Sequence, residues 1–425
     1  MKRSLTVEIT KPVLYKYAED YLSSIMAKFL GEKRTDIIVL FRDFYPAAFR
    51  VVSFAIYKLI NDNYTVIKTN NGYAEELSFP VIYDQAGSNK ISPYCANYFL
   101  KDKNGNKMAV RMKLSKDDFV KSYFHVYLPA SKLDLGKKFF ADLENTIMSL
   151  TDLRLNGAGE FLESVQELAD KDIILPEEIK RSIKSNVVGT IERYRQYANT
   201  NELNEFNVIK RGVLLFGDPG TGKSLTIRWL MSTIKCCNFI VATGKHLKRS
   251  DDVAEVFSLA RSIRPCIVVL EDIDLYGLSR DGGYFNGGIL NEFLNQLDGA
   301  SNLNGVVTIA TANKLEVLDK ALTKRPGRFD VIIHYENPSV PERINLLNLN
   351  LSKTDTGKSV DINHIADITD GFSPAQIVEV VKRGYIISRE REGNTIQQYD
   401  LVFAVNQLKS PAKEIGFKTP KGKAE

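Results

Sequence analysis

The sequence predicts an α/β fold for the second half of the chain and an α+β domain before it. Two observations carry this. Three short apolar runs, Val213–Phe216, Cys266–Leu270 and Val306–Ala310, each stop at a polar cluster, as strands buried on both faces do. Upstream, between about residues 64 and 128, the apolar spacing shifts to a period of two, the mark of half-buried strands.

Composition bounds the rest. The chain has 425 residues, 44% hydrophobic and 26% charged. That is globular composition for about two to three domains, and it excludes a mainly disordered or fibrous chain. Net charge is +5. Residues 1–170 hold +2 and the tail 409–425 holds +3, so residues 171–408 are balanced. A dedicated nucleic-acid coat is far more basic. Cys95, Cys236, Cys237 and Cys266 form no C-x-x-C pair and no zinc-ligand spacing, so a reducing, cytoplasmic setting is expected. Residues 1–8 are followed by no apolar signal-peptide core. The most apolar stretch, Phe44 to Ile60, is broken by Arg50 and Lys58 and falls short of the ~20 residues of a spanning helix. It reads as a core helix, and no membrane span is expected.

In chain order, residues 12–30 and 46–61 have helical spacing. Tyr64–Thr69 alternates, Asn70-Asn71-Gly72 turns, and Tyr73–Phe79 continues. Tyr94–Leu100 and Lys107–Leu114 flank Asn104-Gly105, a hairpin signal because both turn residues tolerate positive φ. Ser122–Leu128 reads as a strand and Lys137–Leu150 as an amphipathic helix. No catalytic constellation occurs here, and His125 reads as a structural residue of its strand. After Asn156-Gly157-Ala158-Gly159, a short helical run is expected over Glu160–Asp170, with the domain boundary near residue 165.

The chemistry begins beyond it. The run Val213–Phe216 leads straight into Gly217-Asp218-Pro219-Gly220-Thr221-Gly222-Lys223-Ser224, and Leu225–Thr233 reads as the helix that follows. This is G-x-x-x-x-G-K-[ST] in its required context. Glycines let backbone N–H groups wrap phosphates, and the helix N-terminus adds positive dipole. Lys223 neutralises β/γ-phosphate charge, and Ser224 offers a hydroxyl to Mg²⁺. The run Cys266–Leu270 ends in Glu271-Asp272-Ile273-Asp274, a Walker B arrangement in which one carboxylate serves Mg²⁺ and the next activates water. Val306–Ala310 ends in Thr311-Ala312-Asn313, which sets an amide beside the γ-phosphate. Arg325-Pro326-Gly327-Arg328-Phe329-Asp330 presents two guanidinium forks on a turn, read as arginine fingers reaching a neighbour's γ-phosphate.

Residues from about 172 to 417 resemble one AAA module of the AAA+ superfamily. The resemblance rests on GVLLFGDPGTGKS, CIVVLEDID, LNQLDG, VVTIATANK, LDKALTKRPGRFD and GFSPAQI, in that order. It implies ATP hydrolysis with Mg²⁺, a P-loop NTPase core with a parallel sheet and a C-terminal helical lid, and a homo-oligomeric ring. The ring is usually a hexamer, with a heptamer as the alternative. The implied nucleotide-binding set is Asp218 to Leu225, namely Asp218, Pro219, Gly220, Thr221, Gly222, Lys223, Ser224 and Leu225. Asp172 and Ile174 join it at the adenine, and Gly371 and Ala375 at the lid. Ser224 and Glu271 are the metal residues, Asp272 and Asn313 align water, and Arg325 and Arg328 complete the next subunit's site. The Glu-Asp order at Glu271-Asp272, where the family usually has Asp-Glu, is similar to the mitochondrial Rieske-protein translocase subfamily, as is the segment ILPEEIKRSI before the phosphate loop. So is the run Thr243 to Ser250, which has no aromatic-hydrophobic-Gly pore loop. Tyr284-Phe285, between glycine pairs in Gly277 to Gly288, are read first as anchors of that loop on its own subunit, with contact to a substrate in the channel as the alternative.

The expected organisation is residues 1–165 as an α+β substrate or adaptor domain, 166–338 as the large ATPase subdomain, 339–417 as the lid and 418–425 as a basic tail. The expected function is an ATP-driven remodeller, translocator or disassembler of protein clients. The alternative is a nucleic-acid-associated ATPase of clamp-loader or recombination type, which the charge balance disfavours. His125, His246, His334 and His364 supply no H-E-x-x-H, so a zinc protease fused within these residues is excluded.

Overall fold

The computed structural model describes residues 8–10, 19–44, 46–70, 81–83, 89–91, 96–113, 122–162, 167–198, 210–276, 284–298, 303–316, 318, 322, 327–354, 360–393 and 395–409. They fall into two compact units. The first takes its residues from 1–168, 181–216 and 227–333; the second takes them from 169–180, 217–226 and 334–425.

The first unit opens with β1 (Glu8–Thr10), α1 (Glu19–Leu30), β2 (Ile37–Phe44), α2 (Pro46–Asn63) and β3 (Thr65–Asn70). A small hairpin, β4 (Val81–Tyr83) and β5 (Asn89–Ile91), precedes β6 (Ala96–Lys101), β7 (Lys107–Lys113), β8 (Ser122–Pro129) and α3 (Leu133–Ser149). Six strands form an antiparallel sheet in the order β1-β2-β8-β7-β6-β3. The Asn104-Gly105 hairpin forms as expected: Lys101 pairs Lys107, and the Asp102 carboxylate accepts the Asn104 and Asn106 amides at 2.9 and 2.8 Å. The stretch read as a core helix is α2, with Phe49, Val52, Ile56 and Leu59 buried. The expected strand at 73–79 lies outside the described residues.

β9 (Arg154–Asn156) follows, then α4 (Glu177–Ile183), α5 (Gly189–Ala198), β10 (Lys210–Gly217), α6 (Lys223–Thr233), β11 (Asn238–Ala242), α7 (Ser250–Ser262), β12 (Cys266–Leu270), α8 (Tyr284–Asp298), β13 (Val306–Ala312) and β14 (Val331–Tyr335). The second sheet has the order β14-β10-β13-β12-β11-β9. β10, β13, β12, β11 and β9 run parallel, and every residue of β12 and β13 is buried, as apolar runs of a sheet covered on both faces must be.

Two findings differ from the sequence reading. Of the run Glu160–Asp170, residues 160–162 and 167–169 are not helical, and Asp170 only opens a 3-10 turn. Phe161 bridges Leu155 instead, and Asn156 Oδ1 accepts the Ala158 and Glu160 amides, a side-chain turn that competes with helix. Second, β9 joins the ATPase sheet before residue 165, pairing Leu155 with Ile240. Arg154 fastens it there. This buried guanidinium donates to the carbonyls of Met231, Ile234 and Cys237 at 2.7 to 3.1 Å, so it satisfies orphan acceptors at the C-terminal end of α6. The N-terminal core also runs into the ATPase core without a break: Leu40, Phe49 and Phe124 belong to the same apolar cluster as Leu259 and Val268. Arg50 pairs with Glu160 at 2.5 Å, and Phe54 meets Phe161 edge-on.

The second unit holds the loop from Gly217 to Thr226 and α9 (Val340–Leu351), α10 (Ile362–Ile368), α11 (Pro374–Glu390) and α12 (Gln398–Lys409). Leu347, Ile365, Ile377, Val380 and Leu401 form its core, with Ile174 packed against it. Ser373 caps α11 with Gln376 in a reciprocal capping box, and Pro374 occupies the first turn. No helix among the described residues is long and apolar enough to cross a membrane.

Candidate nucleotide site

The phosphate loop is shaped by what crowds it. A methyl on Gly217 would lie 2.2 Å from the Tyr335 carbonyl oxygen, so only glycine lets the loop leave β10 there. Gly220 has φ +83°, and a methyl on it would lie 2.9 Å from Ala375 Cβ. The Ala375 amide donates to the Gly220 carbonyl at 3.1 Å, so the helix that starts at Pro374 begins against the loop. Lys223 is buried, and its Nζ donates to the Gly217 and Asp218 carbonyls at 2.5 and 3.0 Å. Thr221 Oγ1 donates to the Asp218 carbonyl at 2.8 Å. Asp218, Pro219, Gly220 and Ser224 are exposed at the loop surface, with Leu225 half-buried behind them.

Beneath the loop is a contact that no motif announces. Tyr335 Oη donates to Thr226 Oγ1 at 3.0 Å, and Thr226 Oγ1 donates to the Gly222 carbonyl at 3.1 Å. Burial pushes the Tyr335 phenol well above its ordinary value, which keeps it a neutral donor. Among the adenine candidates, Asp172 turns its carboxylate to the Ala169 amide at 2.9 Å, while Ile174 packs into the lid core. Leu175 faces the loop instead, 3.8 Å from where a methyl on Gly222 would sit. Gly371 has φ +77°, and its carbonyl accepts from Asn337 Nδ2 at 3.1 Å.

The first unit aligns the other motifs by strand register. Phe216 pairs Ala312 and Leu270 pairs Ala310, all parallel. Phe216, the Glu271-Asp272 pair and Thr311-Ala312-Asn313 therefore stand at the same end of one sheet, the end at which open α/β sheets bind ligands. The Glu271 amide donates to the Ala242 carbonyl at 2.9 Å. Asp272 has φ +52°, a left-handed conformation that aspartate tolerates better than most residues. Its amide donates to Thr311 Oγ1 at 2.8 Å. One turn on, Asp274 Oδ2 accepts the Asn313 and Lys314 amides at 3.1 and 3.3 Å.

Arg325 lies outside the described residues, as do residues 277–283 of the glycine-rich segment; α8 takes up the chain at Tyr284. Arg328 is buried and points into its own subunit, where Nε and Nη2 donate to the two carboxylate oxygens of Asp298 at the end of α8. This two-pronged pair differs from the outward fork that the sequence suggests. His125 sits in β8 stacked on Tyr123, with burial and Arg111 lowering its pKa to about 4. Within 425 residues no metal cluster forms from His, Cys, Asp or Glu among the described positions.

Residues 213–337 match the family described as the ATPase family associated with various cellular activities (AAA). A homologue of the ATP-dependent zinc metalloprotease YME1 from Schistosoma mansoni is 32% identical over 242 residues, 54% of this chain and 36% of that protein. The ATP-dependent zinc metalloprotease FtsH of Cupriavidus metallidurans is 33% identical over 210 residues, 47% of this chain and 32% of that protein. A putative cell division cycle ATPase of Plasmodium falciparum is 32% identical over 213 residues, 48% of this chain and 17% of that protein. The chain thus spans about a third or less of the length of these relatives. Residues 213–337, which include the paired carboxylates and the asparagine at the ends of two neighbouring parallel strands, thus match the AAA ATPase family.

Proposed function

We propose that this protein hydrolyses ATP and uses the cycle to remodel, translocate or disassemble protein clients. The observation that carries the hydrolysis is the common strand end, from which Asp272 and Asn313 extend beside the strand that feeds the phosphate loop. Lys223 holds its ammonium on loop carbonyls, where it meets β/γ-phosphate charge. Asp272 takes a proton from the attacking water, and Asn313 orients that water. Ser224 and Glu271 offer hard oxygen donors that suit Mg²⁺, and the loop that presents Ser224 is already shaped by Gly217 and Gly220. Bound there, Mg²⁺ would neutralise phosphate charge.

Arg325 is our candidate for the finger that completes a neighbour's site in a hexameric or heptameric ring. Arg328, three residues on in the sequence, is held by Asp298 within the chain. Protein clients are favoured because two of the relatives carry names of ATP-dependent proteases, and residues 171–408 have no excess positive charge for nucleic acid. The N-terminal sheet is fused to the ATPase core, which suits a domain that holds a client or adaptor at a fixed position. The Glu271-Asp272 order supports likeness to the translocase branch, and the unpaired cysteines a cytoplasmic setting. Affinity capture with an Asp272→Asn variant in ATP tests this reading. A retained protein whose release requires hydrolysis supports it, and retention of nucleic acid alone refutes it.

A further inference from the structure

The two residues assigned to the attacking water, Asp272 and Asn313, are joined by two crossed hydrogen bonds. From the carboxylate side, the Asp272 amide donates to Thr311 Oγ1 at 2.8 Å. From the asparagine side, the Asn313 amide donates to Asp274 Oδ2 at 3.1 Å, and Lys314 adds its own amide at 3.3 Å. Thr311 lies two residues before Asn313 and Asp274 two residues after Asp272, and each bonds the opposite segment, so neither the turn after β12 nor the end of β13 can shift alone. Leu275 N closes that turn onto the Asp272 carbonyl at 2.9 Å. Asp272 needs this support. Its φ of +52° is a conformation that an aspartate holds only when surroundings fix it, and its carboxylate is one methylene shorter than glutamate. A short base loses reach quickly if its backbone drifts.

We infer that Thr311 and Asp274 are positioning residues, a reciprocal clamp that sets the spacing between the base Asp272 and the asparagine Asn313. The second carboxylate oxygen of Asp274, Oδ1, is shielded from solvent and has no hydrogen-bond partner among the described residues. A purely structural site gains nothing from a shielded, half-satisfied carboxylate, whereas a strong acceptor for two successive backbone amides is what holding the Asn313 turn requires.

The inference rests on the proposed roles of Asp272 and Asn313, and the test separates the two. Steady-state ATP hydrolysis, nucleotide affinity and thermal midpoint are measured on the full chain for Thr311→Val, Thr311→Ser, Asp274→Ala, Asp274→Asn and Asn313→Ala. Thr311→Val and Asp274→Ala should each lower kcat at least ~10-fold with ATP affinity within about twofold of the wild type. Thr311→Ser, which keeps the hydroxyl, and Asp274→Asn, which keeps an oxygen acceptor, should retain kcat within about threefold. Wild-type kcat in both Thr311→Val and Asp274→Ala, with Asn313→Ala slow, overturns the clamp. Equal losses of kcat, affinity and midpoint in those variants reduce the pair to a folding element and overturn it too. If Asn313→Ala itself hydrolyses ATP normally, the water-aligning assignment fails, and the clamp with it.

Discussion

Replacing Asp272 by asparagine separates the chemistry of this residue from its backbone. The residue sits at φ +52°, a region that asparagine enters as readily as aspartate, so the substitution keeps the turn. Its amide bond to Thr311 Oγ1 at 2.8 Å involves only the backbone and is also kept. What is lost is the ability to accept a proton. A positioned general base contributes about 10²–10⁴ in rate, which at ~1.36 kcal/mol per decade is roughly 2.7–5.4 kcal/mol of barrier. Phosphate release should therefore fall by at least ~100-fold, while fluorescent-nucleotide affinity and the thermal midpoint stay near the wild type. Asp272→Ala should lose the same activity and also stability, because alanine in the left-handed region costs about 1–2 kcal/mol. Asp272→Glu, restoring the acid usual in this family, should hydrolyse more slowly than the wild type, since glutamate fits that backbone less well. An Asp272→Asn protein that turns over within threefold of the wild type would falsify the assignment of Asp272 as base.

Three further outcomes follow from other contacts. Arg154→Ala strips buried carbonyls at the end of α6 of their donors, at about 1.5–3 kcal/mol for a charged hydrogen bond. A loss of ~3 kcal/mol or more in urea unfolding is expected, and a chain begun at residue 166 should be less stable than one begun at 151. A loss below ~1 kcal/mol would contradict the role given to β9. Tyr335→Phe removes the hydroxyl above Thr226, so nucleotide affinity should weaken by about 5-fold, from ~1 kcal/mol of lost positioning, with Lys223 intact; unchanged affinity would detach Tyr335 from the loop. His125 has its pKa lowered to about 4 in the fold against ~6.5 unfolded. The unfolded chain then binds the extra proton between those values, so stability is full above pH ~6.5 and falls as pH drops toward 4. His125→Phe should flatten that slope in denaturation curves taken from pH 7 to 4, and an unchanged slope would rule His125 out as its source.

What the sequence made legible was local, and the limits of locality explain what it hid. The phosphate loop is eight consecutive residues with a strand before it and a helix after it, so spacing alone identifies it. Glu271, Asp272 and Asn313 end apolar runs, and a run of five or more buried residues announces a strand wherever it lies. By contrast, Arg154 owes its role to carbonyls some 77 to 83 residues away, and nothing near it distinguishes it from a surface arginine. The Asn-Gly-Ala-Gly punctuation reads as a linker; in the fold Asn156 is the last residue of a strand in the ATPase sheet. Asp172 reads as an adenine contact from its place in the chain, but a free amide three residues earlier claims its carboxylate.

Arg328 shows the same limit most sharply. A guanidinium on a Pro-Gly turn offers five donors in any direction, and the motif gives no sign that Asp298, 30 residues earlier, takes two of them. The carboxylate closes α8, the helix that begins inside the glycine-rich segment, and Arg328 follows Arg325 by three residues in the sequence. An ion pair of this kind transmits displacement only if both ends are held. Arg328 is 3% exposed, and Lys210 donates to the carbonyl of Leu297, next to Asp298, at 2.8 Å. Both ends are therefore fixed within one subunit, so a shift of Asp298 at the end of α8 moves Arg328 with it.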